Sequence, residues 1–95
     1  MTRPMATVVD PDGRLVDIFP DQWQHVCDHG EMTAHFETVK ATITHPIDRR
    51  PDPKPGREQY YVQGGPTRWL RVVVSYEEDP MRGRLVTAFG HRNDP

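Results

Sequence analysis

Apolar positions along the chain fall into two rhythms, a period of two at both ends and a helical period between them. The first alternating runs are ATVV and RLVDIF, on either side of DPDGR. Pro in the second place of that segment and Gly in the fourth are a turn signal, so residues 1–19 are predicted to form a hairpin. A helix over about residues 21–28 follows, closed by Gly30 as a C-terminal cap. Thr33 is placed to cap a second helix, along which Met32, Phe36, Val39 and Ile43 recur at helical spacing. THPI ends it, because the residue before Pro46 is pushed toward extended conformations. RRPDPKPGR, residues 49–57, alternates prolines that block helix and ladder pairing; it is expected to be an extended, exposed loop and the most mobile part of the chain. The period then returns to two. EQYYVQ, RWLRVVVSYE and LVTAFGH read as strands separated by the turns GGPT and EDPMRGR. Consecutive strands joined by such short turns must be antiparallel, since a parallel crossover needs a dozen or more residues. The expectation is an α+β fold in a single domain, 1–95. The N-terminal hairpin (1–19) and two helices (20–45) would pack on one face of an antiparallel sheet of three to four strands (46–91).

Alternation also sorts the side chains. Leu70, Val72, Val74 and Tyr76 share the face suited to the core, and Trp69, Arg71, Val73 and Ser75 share the other. On the last strand Val86 and Ala88 alternate with Leu85, Thr87, Phe89 and His91, which places Arg71, Thr87 and His91 on a common face in that register. Rings for base stacking beside a guanidinium for phosphate are what single-stranded RNA binding uses. An ordinary solvated sheet face has the same pattern.

The 95 residues (11.0 kDa) suit one domain, standing alone or as a homodimer. No apolar run approaches the roughly 18 residues of a membrane span, and MTRPMATVVD lacks the apolar stretch of a signal peptide, so a cytoplasmic protein is expected. A single cysteine, Cys27, excludes an internal disulfide framework. The net charge of −2 hides an asymmetry. Residues 1–48 carry three basic and eight acidic side chains, and residues 49–95 carry nine and six, a first half at −5 against a second at +3. A locally basic second half fits an anion-binding surface, because steering depends on the local field.

Candidate chemistry begins at WQHVCDHGEM, where His25, Cys27 and His29 occupy every second position. His25 and His29, four apart, share a side of a helix and could supply two ligands to a zinc ion, exchange protons, or lie on an exposed face. Cys27 lies about 200° around the helix from His25, so the three cannot bind one ion. With no source for a further ligand, no metal or other cofactor is expected, and Cys27 reads as a small buried residue facing the sheet beside Trp23.

The segments HVCDHGEM, VKATITHPI, EQYYVQ, RWLRVVVSY and RLVTAFG, in this order over about residues 22–91, resemble the small phage- and toxin-associated nuclease domains of the barnase, EndoU, colicin and RelE-like (BECR) superfamily. HGE stands where that pattern has a His-Pro-Glu-like element, and the N-terminal hairpin lies outside it. The resemblance implies a metal-independent endoribonuclease, or a toxin of that kind, cleaving RNA by attack of the 2′-hydroxyl on the adjacent phosphate. His25 or His29 would exchange protons, Arg71 hold the phosphate, Thr87 hydrogen-bond it, and Tyr61 stack or assist. Arg49, Arg50, Arg57, Trp69, Phe89 and His91 would complete the RNA-binding surface. The implied partners are RNA and an antitoxin or immunity protein. A catalytically inert RNA- or protein-binding module of the same fold is the alternative.

Overall fold

The computed structural model describes residues 3–28 and 30–95. These form strands β1 (Ala6–Val9) and β2 (Leu15–Ile18), helices α1 (Pro20–Cys27) and α2 (Phe36–Thr44), and strands β3 (Asp48–Pro51), β4 (Arg57–Gln63), β5 (Trp69–Ser75) and β6 (Arg82–His91). All six strands join one sheet in the order β1-β2-β6-β5-β4-β3. The neighbours are antiparallel except β2 and β6, which run parallel with Val16 opposite Gly83.

The expected antiparallel sheet of three to four strands is therefore replaced by a mixed sheet of six. Two elements account for the difference. The short-loop argument constrains only consecutive strands, whereas β2 and β6 are separated by both helices and the β3–β5 meander, ample chain for a parallel crossover. Arg82 seals that junction, since its guanidinium donates to both oxygens of Asp17 at 2.7 and 2.8 Å while Thr7 Oγ1 donates to the same carboxylate. The second element is β3, in the segment expected to be a loop: Asp48, Arg49, Arg50 and Pro51 pair with Tyr61, Tyr60, Gln59 and Glu58. Its proline is tolerated because β3 is an edge strand and Pro51 is its last residue.

The hairpin turns where DPDGR predicts. Gly13 takes φ +85°, a conformation that favours glycine, and Asp10 Oδ1 accepts the backbone N–H groups of Asp12 and Arg14. Helix α1 starts at Pro20, whose missing N–H costs nothing in the first turn, with Asp21 favourably placed beside it. In α2, Val39, Thr42 and Ile43 are buried, and Phe36 meets Trp23 of α1 edge to face at 4.8 Å between centroids. Thr33 does not cap this helix: its hydroxyl donates to Gly30 O, and His35 occupies the cap position. Nor is Cys27 fully buried; Val26 turns inward in its place. No described helix is long and apolar enough to cross a membrane.

Both helices cover one face of the sheet, enclosing Val16, Ile18, Val26, Met32, Val39, Ile43, Tyr60, Leu70, Val72, Val74, Leu85 and Ala88. Strand β6 enters this core with a bulge. Val73 faces Thr87 but Val74 faces Leu85, so Val86 is an extra residue and the alternation changes phase. Leu85 thus joins Ala88 in the core instead of lying with Thr87, Phe89 and His91 as strict alternation would have it. The side-chain amide of Gln22 on α1 donates to the Val86 carbonyl.

One end of the core is closed by polar groups. The Asp10 side chain, 0% exposed, accepts from Tyr76 Oη at 2.7 Å and Arg14 Nε at 2.7 Å. Burial alone would raise its pKa, but the bonds from Tyr76 and Arg14 outweigh that and hold it below the usual range. Arg14 lies 3.7 Å from the Tyr76 ring centroid and also donates to Glu58, and Arg49 bridges Glu58 to Asp12. The hairpin turn is thereby tied to β3 and β4 across the core.

Candidate nucleic-acid interface

The sheet face opposite the helices carries most of the chemistry. Residues directly across a ladder share a face, so the register defines its rows. One row reads Asp48, Tyr61, Arg71, Phe89; the next reads Arg50, Gln59, Val73, Thr87; Trp69 and His91 form a third. The sequence-predicted set of Arg71, Thr87, Tyr61, Trp69, Phe89, His91 and Arg50 is thus brought onto one side of the sheet, but Tyr61, 1% exposed, and Trp69 are buried there, so Tyr61 offers no open ring for stacking.

Arg71 is its centre. Its Nε donates to Tyr61 Oη at 2.7 Å, and its guanidinium carbon lies 5.3 Å from both the Tyr61 and the Phe89 ring centroids. Its Nη2 is 3.4 Å from His91 Nε2. A guanidinium has only protons to give, so in that contact the imidazole nitrogen accepts. Among the described residues no carboxylate forms an ion pair with Arg71. Arg3, Lys54 and Arg92 also lack such a pair but are exposed, whereas Arg71 is half-buried among rings. Its position in mid-strand is therefore not explained by a structural salt bridge.

A chain of side-chain hydrogen bonds orients this arginine. Tyr61 Oη, accepting from Arg71, donates to Gln59 Oε1 at 2.7 Å, and Gln59 Nε2 donates to Asp52 Oδ1 at 2.8 Å. The Gln59 bond is the main reason that the Asp52 carboxyl stays below its usual range, with the charges of Arg57 and Arg71 adding to it. Nothing in the sequence pattern marks Gln59 or Asp52 as functional, though Gln59 lies two residues before Tyr61 and so on its face by period. Tyr61 also meets Trp69 and His91 edge to face, at 6.5 and 5.8 Å between centroids. Thr87 is half-buried on the diagonal from Arg71.

Other predicted site residues lie elsewhere. His25 is exposed on α1, in the helix layer, so the sheet stands between it and Arg71. His29 lies outside the described residues. Arg49 projects on the core side, as its pairing with Tyr60 requires, and is held by Asp12 and Glu58. Arg57 does reach the open face but is paired with Glu77. Arg50 pairs with Asp48. Among the described residues no three of His, Cys, Asp and Glu form a group able to hold a metal ion.

Searches against protein-family models, curated proteins and solved structures find no match to the chain.

Proposed function

We propose that the open sheet face binds single-stranded RNA and that the protein is a metal-independent endoribonuclease of the toxin-associated kind. The observation that carries this reading is Arg71: a half-buried guanidinium without a carboxylate partner, flanked by two rings, oriented by Tyr61 and touching an imidazole. In this reading a phosphate sits on Arg71 and Thr87, and a base stacks on the half-buried Phe89 ring. His91 Nε2, freed as the Arg71 guanidinium turns to the phosphate, takes the proton of the 2′-hydroxyl. The 2′-oxygen bonds to phosphorus and the P–O5′ bond breaks, leaving a 2′,3′-cyclic phosphate. The departing 5′-oxygen takes its proton from water, and Arg71 offsets the charge developing on the phosphorane oxygens. The resemblance to barnase, EndoU, colicin and RelE-like nuclease domains supports the same chemistry. It differs in one assignment, since His91 stands beside Arg71 where the resemblance named His25 or His29. A cytoplasmic setting and an inhibitory partner protein belong to this reading.

A second reading, an RNA-binding module without catalysis, is favoured by the presence of only one described imidazole on this face. The two separate on incubation with mixed RNA in EDTA. Fragments ending in 2′,3′-cyclic phosphate, lost in Arg71→Ala and His91→Ala but kept in His25→Ala, support the ribonuclease. Binding without cleavage supports the module. Cleavage that needs His25 but not His91 overturns the assignment, and absence of both binding and cleavage overturns the RNA reading.

A further inference from the structure

The segment after β6 crosses the open face. Asp94 Oδ1 accepts from the Trp69 indole N–H at 3.1 Å and lies 3.5 Å from Arg68 Nη2, and the Pro95 carbonyl accepts from Arg50 at 3.3 Å. Trp69, which also packs edge to face on Tyr61, is only 8% exposed, although no helix covers its side of the sheet. The carboxylate that binds it is 70% exposed. A contact of that kind is held weakly.

We propose, on the strength of the RNA-binding reading above, that Trp69 Nε1 and Arg68 form a second oxyanion subsite. Asp94 of the same chain occupies it, and the phosphate of a neighbouring nucleotide takes it over when RNA binds. The chemistry is that of a fixed N–H donor beside a cation, which serves a carboxylate or a phosphate oxygen alike. Spacing supports a polymer: Trp69 and Arg71 are two residues apart on one strand face, about 7 Å, on the order of the step between successive phosphates of an extended strand. The segment therefore acts as a strap. It shields Trp69 and lowers affinity until displaced, at the small cost its exposure implies.

The test uses the full chain and a short 2′-O-methylated single-stranded oligonucleotide, which cannot be cleaved by 2′-attack. Asp94→Asn should tighten binding about two- to fivefold, the size of an exposed charge contact. Asp28→Asn, the same charge change in the helix layer, should leave affinity unaltered. Adding Trp69→Phe should abolish the gain. In Asp94→Asn, inorganic phosphate should shift the Trp69 indole N–H resonance, as the oligonucleotide does; a shift with the oligonucleotide alone shows that the subsite takes phosphate only within a polymer. Equal tightening by both Asn variants, none by either, or a gain that survives Trp69→Phe overturns the inference. Weakening by Arg71→Ala with no effect of Asp94→Asn sinks the strap alone. If the oligonucleotide fails to bind any form, the functional reading falls with it.

Discussion

Replacing Arg71 by alanine separates a ligand-binding arginine from a structural one, and both effects can be sized beforehand. In the fold, the guanidinium donates to Tyr61 Oη at 2.7 Å, makes a longer contact with His91 Nε2 at 3.4 Å, and lies over two rings at 5.3 Å. The short hydrogen bond contributes about 1 kcal/mol and each ring contact about 0.5–1 kcal/mol, so the loss should be about 2–3 kcal/mol. A 95-residue domain has roughly 5–14 kcal/mol in hand, and the variant should stay folded. On the ligand side one phosphate contact disappears. The slope of log affinity against log salt, measured by fluorescence anisotropy with a single-stranded oligonucleotide between about 50 and 200 mM salt, should fall in magnitude by about 0.7. Cleavage should drop about 10²- to 10³-fold, as when one donor to a developing oxyanion is removed. Arg71→Lys should restore the slope but only part of the rate, since it keeps the charge without the planar fork. An unchanged slope, or a stability loss above about 3 kcal/mol as for breaking a buried ion pair, would show that Arg71 serves the fold.

Four further outcomes test the architecture. Asp10→Ala removes the acceptor of Tyr76 Oη, Arg14 Nε and two backbone N–H groups, and should cost about 3–5 kcal/mol in urea unfolding; a loss under about 1 kcal/mol would show that the turn network is dispensable. Asp10 and Asp17 both have depressed pKa values in the fold, the latter chiefly through its hydrogen bond from Arg82. Their stabilisation is therefore present above the unfolded value of about 3.9 and lost as pH falls through the folded values, so the urea midpoint should drop below about pH 4, less steeply in Asp10→Asn. Gly83→Ala would put a Cβ 2.6 Å from the Tyr76 ring and should lower the melting temperature, whereas Gly13→Ala meets open space and should act only through its φ of +85°. Arg49→Ala should cost about 1 kcal/mol of stability and leave RNA affinity intact, while Arg50→Ala should do the reverse; an affinity loss in Arg49→Ala would place RNA on the helix side.

Local rules sufficed for the hairpin, for α1 and α2 within a residue or two, and for the three strands of the second half. Each is set by neighbours in sequence: DPDGR makes a turn, THPI stops a helix, and alternation puts Leu70, Val72 and Val74 on one face with Arg71 on the other. The candidate site was legible for the same reason, since Arg71, Thr87 and His91 are assigned to a face by period alone. Three features were decided only by the tertiary structure. Whether the hairpin pairs with β6 depends on a contact between residues more than sixty positions apart, fixed by Asp17 and Arg82, and no local pattern encodes it. The bulge at Val86 shifts a register that alternation treats as continuous, and what sets it is that Leu85 and Ala88 both need burial. Helical spacing makes His25 available for chemistry but does not say which side of the sheet its helix covers. Packing α1 through Val26 onto the core face put the sheet between His25 and Arg71, and left His91, reached through strand pairing, as the imidazole beside Arg71 among the described residues.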